Sequence, residues 1–218
     1  MQLATVNDLI VFNKNLSKDN MTAEETAILL TNPQVISNSS MLQEILHNLD
    51  RENISLYLEA FTAAAIKANL TDSQATTVKE AMFNAVFEAI ISNFSSLTSD
   101  NCQSLFGKDL LPLLPYIQEI HIQQLPTNIS CSCYQGIVYT FCMAYDLLAN
   151  KTTDIYQLYM RNYLIQQSSD TGIACSTTNY TTWVEVNLCR FMQLATVNDL
   201  IVFNKNLSKD VTGNPSQS

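Results

Sequence analysis

The chain has 218 residues, of which 47% are hydrophobic and only 14% are charged, and its formal net charge is −9. This length is enough for one well-packed core or two small ones. The acidic balance and the lack of lysine and arginine clusters exclude nucleic acid and anionic membrane surfaces as partners.

The first hundred residues carry the signals of successive short helices. Glycine occurs only four times in the whole chain, so few tight turns are available, and alternating strand patterns are scarce. Asn32-Pro33 ends one helix, and every fourth residue from Val78 to Ile90 is apolar, which is helical spacing. A side chain able to cap a helix precedes each apolar run, at Thr5, Thr22, Ser40, Asn53 and Asp72.

The second half continues this pattern after a polar break at residues 93–100. A proline-interrupted apolar segment lies at 108–115, and a Ser/Thr-rich loop at 168–180. Further helices are predicted to begin near Asp100, Ile117, Ser132, Asp154, Thr182 and Thr196. About ten short helices joined by short loops predict an all-α fold, either a solenoid-like superhelical repeat unit or an irregular bundle.

The first 19 residues return unchanged near the end of the chain, where residues 192–210 repeat residues 1–19. Repetition at a fixed offset is typical of arrays, and the offset here is 191 residues. We therefore predict one helical repeat unit over 1–191. Residues 192–210 are then the first helix of the next unit or an end-capping helix, and 211–218 a flexible tail or linker. Since Met1 recurs in mid-chain as Met192, we expect a piece of a longer precursor.

Potential N-glycosylation sites are unusually dense. The composition would give roughly four N-x-S/T sequons by chance, whereas the chain has ten. They lie at Asn15, Asn20, Asn38, Asn53, Asn69, Asn93, Asn128, Asn150, Asn179 and Asn206. We predict covalent N-linked glycans, which would supply the surface polarity that the few charges do not.

The cysteines point to the same compartment. An even number of cysteines in a sequon-rich chain predicts disulfides, and the six are Cys102, Cys131, Cys133, Cys142, Cys175 and Cys189. All lie after residue 101, so the second half is predicted to be disulfide-stapled and the first half to be held by packing alone. No signal peptide is visible, and no apolar run is long enough to span a membrane. We predict a secreted, extracellular location.

Catalytic and metal-binding constellations are not found in the sequence. His47 and His121 have no cysteine or carboxylate at metal-ligand spacing, and Cys131-Ser-Cys133 lacks the C-x-x-C spacing of zinc sites. No phosphate-binding glycine loop, G-x-S-x-G or H-E-x-x-H motif occurs. We therefore predict neither an enzyme nor a metal or cofactor site, and we assign Trp183 and the tyrosines at helical spacing to the core.

From Asn93 onward the chain carries Leu110-Leu-x-x-Leu114, Asn128-Ile-Ser-Cys131 with Tyr134, Cys175, Trp183-Val-Glu-x-Asn187-Leu-x-x-Phe191 and Asp199-Leu200. This set of residues resembles repeat modules of extracellular glycoproteins of the mesothelin, stereocilin and otoancorin type. It implies a superhelical stack of short helices that serves in adhesion or matrix attachment, and a Cys131–Cys175 disulfide.

The other four cysteines depart from the pattern of these modules, and their pairing stays open. Cys133–Cys142 together with Cys102–Cys189 is one arrangement.

These observations predict a tandem-repeat structural protein that assembles with copies of itself, end to end, into an extracellular filament or matrix. Apolar residues of the twin segments would pack across successive units, and a heterologous contact that does not close yields a filament. They are Leu9, Ile10 and Phe12 with Leu200, Ile201 and Phe203. The alternative is a mesothelin-like cell-surface adhesion or recognition module that binds an extracellular protein or glycan partner.

Overall fold

The computed structural model describes residues 21–50, 53–92, 102, 104–171, 174–175 and 179–205. Throughout these ranges the regular structure is helical and no strand is formed, which confirms the all-α prediction. The chain divides into two compact units. Unit 1 comprises Met1–Ile90 and Lys108–Tyr116, and unit 2 comprises Ile91–Gly107 and Ile117–Ser218. The solenoid-like stacking and the 1–191 repeat unit stay predictions.

Unit 1 contains five α-helices and one 3-10 helix among its described residues. These are α1 (Ala23–Leu30), α2 (Pro33–Ile36), α3 (Ser39–His47), α4 (Ile54–Lys67), α5 (Asp72–Ser92), whose last turn passes into unit 2, and the 3-10 helix Leu111–Tyr116. The two prolines of the last segment account for its departure from α-helical geometry, because proline cannot donate a backbone hydrogen bond.

Capping side chains begin four of the five α-helices of unit 1, as the sequence predicts at Thr22. Asn53 precedes α4 as predicted but makes no side-chain capping hydrogen bond. The Thr22 hydroxyl accepts the Glu25 amide proton at 3.2 Å, and the Glu25 carboxylate accepts the Thr22 amide proton at 3.0 Å. Two predicted caps were wrong by one or two residues. Thr71, not Asp72, forms a capping box with Gln74 at the start of α5. Asn38, not Ser40, caps α3 through a hydrogen bond from the Met41 amide.

The core of unit 1 is apolar, and several of its helices contribute to it. Helix α1 packs along α4, and the Tyr57 hydroxyl donates to the Met21 carbonyl at 3.2 Å. The fully buried side chains of this core include Leu30, Phe61, Val78, Met82 and Phe83. The apolar stripe predicted from Val78 to Ile90 is therefore confirmed as the buried face of α5.

Unit 2 contains seven α-helices among its described residues, linked by 3-10 and π-helical turns. They are α6 (Glu119–Gln124), α7 (Cys131–Met143), α8 (Tyr145–Leu148), α9 (Thr152–Asp154), α10 (Arg161–Thr171), α11 (Tyr180–Asn187) and α12 (Val197–Phe203). A π-helical turn, Ile155–Met160, joins α9 to α10, and a 3-10 turn, Cys189–Leu194, precedes α12. Helix α10 thus extends into the stretch that the sequence predicts as a loop.

Aromatic side chains form the core of unit 2. The rings of Tyr134 and Tyr163 stack with centroids 4.0 Å apart, and Tyr159 and Trp183 are also fully buried. Main-chain carbonyls accept the Tyr134 hydroxyl proton, at Asn187 and 2.8 Å, and the Trp183 indole N–H, at Ala174 and 2.6 Å. The buried Tyr159 hydroxyl has no hydrogen-bond partner among the described residues. The prediction that Trp183 and these tyrosines belong to the core is confirmed. Among the helices described, none has both the length and the apolar character needed to cross a membrane.

Unit 1 has no cysteine, so its stability should depend on its apolar core. We expect Phe61→Ala to lower the free energy of unfolding of unit 1 by about 3–5 kcal/mol, because it leaves a cavity at a fully buried position. Ile66→Ala is the matched control on the same helix, since Ile66 is 74% exposed; it should change stability by less than about 0.5 kcal/mol. Chemical denaturation followed by circular dichroism measures both, and equal losses would contradict this core.

Candidate functional site

Three disulfides staple unit 2 and use all six cysteines. The Cα–Cα distances are 5.2 Å for Cys102–Cys133, 5.3 Å for Cys131–Cys175 and 6.4 Å for Cys142–Cys189. The pairing of Cys131 with Cys175 confirms what the resemblance implies. Each bond closes a loop of 31 to 47 residues, which in the chain-entropy account stabilises the fold by about 4 kcal/mol.

The other arrangement considered from the sequence, Cys133–Cys142 with Cys102–Cys189, was wrong. Cys133 and Cys142 both lie on α7, and a helical rise of about 1.5 Å per residue separates them by roughly 13 Å. Disulfide-bonded Cα atoms lie within about 7 Å. Helix α7 is instead tied to other parts of unit 2 at both of its ends.

The second copy of the repeated segment is described from Met192 to Lys205, and it packs within unit 2. Thr196 caps α12, because its hydroxyl accepts the Asp199 amide proton at 3.1 Å and the Asp199 carboxylate accepts the Thr196 amide proton at 3.0 Å. This reciprocal capping box confirms the predicted start of the repeated helix. It also holds the Asp199 carboxylate at the first turn, where the helix dipole favours a negative charge.

Asp199 is buried, and it connects α12 to the π-helical turn Ile155–Met160 and to the start of α10. Its carboxylate accepts hydrogen bonds from Arg161 Nε at 2.7 Å and from the Tyr156 hydroxyl at 3.1 Å. Burial raises the pKa of this carboxyl, but hydrogen bonds from the Thr196 amide, from Arg161, from the Thr196 hydroxyl and from Tyr156 outweigh it, so the pKa lies below its ordinary value. Burial and the nearby carboxylate raise the pKa of Tyr156, which therefore remains a donor.

Phe203 anchors the other end of α12. It is fully buried, its ring centroid lies 6.5 Å from that of Trp183, and its carbonyl accepts the Ala174 amide proton at 2.8 Å. We call the surface that holds α12 the socket, formed by Tyr156, Arg161, Ala174 and Trp183.

Phe203 is enclosed in its own unit in the single chain, and its packing across successive units stays a prediction. Leu200 and Ile201 are half-buried, while Val197 is 69% and Val202 43% exposed. The first copy, with Leu9, Ile10 and Phe12, lies outside the described residues, as does residue 206 onward. Sequence reasoning missed Arg161 and Tyr156, for which the only signal was a single arginine within a tyrosine-rich segment.

The described sequon asparagines share one property, which is solvent exposure. All six of them are exposed, namely Asn38, Asn53, Asn69, Asn128, Asn150 and Asn179. Asparagines without an N-x-S/T sequon include the buried Asn187 and Asn204. Every described sequon is therefore open to a glycosyltransferase. Asn15, Asn20, Asn93 and Asn206 lie outside the described residues.

Two of these asparagines also cap helices, and this role is compatible with glycosylation. The side-chain oxygen of Asn38 accepts the Met41 amide proton at 3.2 Å, and that of Asn179 accepts the Thr182 amide proton at 2.8 Å. A glycan is attached through the side-chain nitrogen, which leaves the capping oxygen in place. Helix formation and glycan attachment therefore use different atoms of one side chain.

An open groove of about 500 Å³ lies beside α11 and the turn that follows it. Its lining residues combine apolar and charged side chains: Tyr180, Thr181, Val184, Glu185, Cys189, Arg190 and Met192. Asn179 directly precedes Tyr180, so a glycan there would stand close to the groove.

The two histidines have different surroundings. His121 is buried, and its Nδ1 accepts the Gln118 amide proton at 3.0 Å at the start of α6. His47 is exposed in the last turn of α3. In the described part of the chain no three histidine, cysteine or acidic residues are grouped as metal ligands would be.

Comparison with known proteins gives no match: no protein-family model, no curated protein and no solved structure is similar to the chain. The resemblance to mesothelin-type modules therefore stays a prediction. The intramolecular disulfides are compatible with an extracellular protein.

The ion pair between the buried Asp199 and the partly exposed Arg161 should make stability depend on pH. Because the pKa of Asp199 is lowered in the folded state, its contribution is present above the unfolded pKa of about 3.9 and is lost as the pH falls through the folded pKa. We expect Asp199→Asn to destabilise unit 2 by about 1–2 kcal/mol at neutral pH, after allowing for the partial exposure of Arg161. The difference from the unmodified chain should shrink in acid.

Thermal unfolding as a function of pH measures this effect. Asp146→Asn is the matched control, since Asp146 pairs with Arg190 on the surface, with side chains 78% and 49% exposed. It should shift the unfolding midpoint much less at neutral pH. Similar shifts for the two variants would show that the Asp199 contacts do not hold α12.

Proposed function

We propose that this chain is a secreted, N-glycosylated structural protein that joins copies of itself end to end in an extracellular filament or matrix. One observation carries the proposal: the segment docked in the socket of unit 2 has an identical twin at the start of the chain. A chain with two copies of one docking element has the means to connect to a further copy.

The extracellular part of the proposal is supported by the sequons and the cysteines together. All described sequon asparagines are exposed, and all cysteines are paired. Either property alone could arise in another compartment, but dense accessible sequons and intramolecular disulfides are both typical of the secretory pathway. Glycans would also keep an assembly of weakly charged chains soluble.

The assembly part is supported by the outer face of α12. Val197 and Val202 remain exposed there, beside the half-buried Leu200 and Ile201. This apolar edge is small, and it is suited to contact with another copy rather than to a membrane. Repeated end-to-end contacts of one kind would extend the assembly in one direction.

Glycosylation is tested by producing the chain in a eukaryotic secretory host. We expect the secreted product to lose mass on treatment with a glycosidase specific for N-glycans. Asn128→Gln should remove the mass of one glycan, whereas Asn162→Gln should leave the glycan mass unchanged, because Asn162 is exposed but lies in no sequon. Mass spectrometry of the intact protein measures both variants, and an unglycosylated secreted product would contradict the proposal.

Assembly is tested on the glycosylated chain by sedimentation and electron microscopy. We expect elongated particles whose length grows with protein concentration, because the proposed contact is heterologous and does not close. Isolated globular particles at every concentration would contradict end-to-end assembly.

An adhesion or recognition module is the second candidate, and the groove beside α11 favours it. Tyr180 presents a 40% exposed ring at this groove, and an exposed aromatic ring is suited to binding a sugar or peptide partner. A monomer that binds extracellular glycans or proteins, and loses binding on Tyr180→Ala, would favour this candidate.

A further inference from the structure

The second copy of the repeated segment shows which of its features unit 2 recognises. Arg161 and Tyr156 bind the carboxylate of Asp199, and the Phe203 ring packs near Trp183. These contacts are buried at both ends of α12 and differ in chemistry, one being ionic and the other apolar. A segment must present both groups, at the right helical spacing, to occupy the socket.

The repeated stretch includes the whole docked element. It begins at Met192, inside the turn Cys189–Leu194, and it therefore contains the capping residue Thr196, the helix and Phe203. In the first copy, Thr5, Asp8 and Phe12 occupy the corresponding positions. Residues 1–12 thus carry every group that the socket binds.

We propose that residues 1–12 are a second ligand for the socket, received by unit 2 of another copy of this chain in exchange for its own α12. The inference rests on the proposed function and identifies the contact that would join the copies. Tyr156, Arg161, Ala174 and Trp183 of one copy would hold Asp8 and Phe12 of the next.

The exchange leaves the contact energy unchanged, because the incoming and outgoing segments are identical. The free energy of exchange then depends on the difference between a segment tethered to the same unit and one supplied by another copy. The chain's own α12 begins at Val197, eight residues after Cys189, which Cys142 ties to α7, so its effective concentration at the socket is about millimolar or higher. In dilute solution each chain's α12 occupies the socket of its own unit 2. Residues 1–12 of another copy compete with it where the chains are as concentrated as in a matrix.

Each exchange also leaves the displaced α12 of the receiving copy without a socket. That helix has the same sequence as the segment that displaced it, so it can occupy a further copy. Successive exchanges of this kind extend an open, head-to-tail series, whereas a reciprocal exchange between two copies would close a dimer.

The duplicated sequence permits a matched set of variants of the full chain. The first variant weakens α12 with Asp199→Asn and Phe203→Ala. The second variant makes the matching changes Asp8→Asn and Phe12→Ala in residues 1–12. The third variant combines all four changes. Sedimentation and thermal unfolding are measured over a range of protein concentrations. We expect only the first variant to associate, and to regain thermal stability as its concentration rises. The second should resemble the unmodified chain in dilute solution, and the third should remain destabilised and monomeric.

A peptide-binding measurement keeps the test decisive if the double change prevents folding. A fluorescent peptide of residues 1–19 is titrated into the full chain carrying Asp199→Asn alone, which retains the Phe203 anchor. Binding should weaken by about tenfold or more when the peptide carries Asp8→Asn and Phe12→Ala, because the buried anchors contribute most of the affinity.

Three results would overturn the inference. The first and third variants could behave alike, the first could regain stability without association, or the two peptides could bind equally. Filaments of the unmodified chain that persist with the second variant would also overturn it, while leaving end-to-end assembly itself intact.

Discussion

The Cys131–Cys175 disulfide is the constraint on which the arrangement of unit 2 depends. It ties the first turn of α7 to residue 175, whose backbone is in the left-handed region with φ of 47°. Ala174 is held beside it and hydrogen-bonds in two directions. Its carbonyl accepts the Trp183 indole N–H at 2.6 Å, and its amide donates to the Phe203 carbonyl at 2.8 Å. One covalent bond thereby positions the residue that connects α11 to α12.

The two units reach stability by different physical routes. Unit 1 has no covalent cross-link and depends on apolar burial along α4 and α5. Unit 2 buries tyrosine and tryptophan, whose polar atoms must be satisfied inside the core. Main-chain carbonyls at Ile129 and Asn187 accept the Tyr163 and Tyr134 hydroxyls, and such long-range bonds need a backbone that the disulfides hold in place.

The proposed N-glycans would supply polarity to a surface that carries few charges. Exposed sequons lie on both units, at helix caps and connecting segments where a glycan does not disturb packing. The outer side of α12 keeps exposed valines, while its inner side contributes Asp199 and Phe203 to the socket. The buried and the exposed side chains of α12 therefore lie on different sides of one short helix.

The sequence by itself determined the local features of this protein. The helical class, the caps at Thr22 and Thr196, and the buried stripe of α5 depend on residues three or four positions apart, and periodicity or capping chemistry identifies such relations. Exposure of the sequons and burial of Trp183 also followed from composition and spacing. The Cys131–Cys175 bond followed only from the resemblance.

Tertiary structure alone decided the long-range relations. Whether Cys133 bonds Cys102 or Cys142 depends on distances in space, and a helix places residues nine positions apart too far from each other. Likewise, the pattern of the repeated segment predicted a helix with an apolar face but not the surface that buries it. Arg161 lies 38 residues from Asp199 in the chain, and only folding brings the two charges together. The surface on which α12 packs could therefore not be predicted from the sequence of α12 itself.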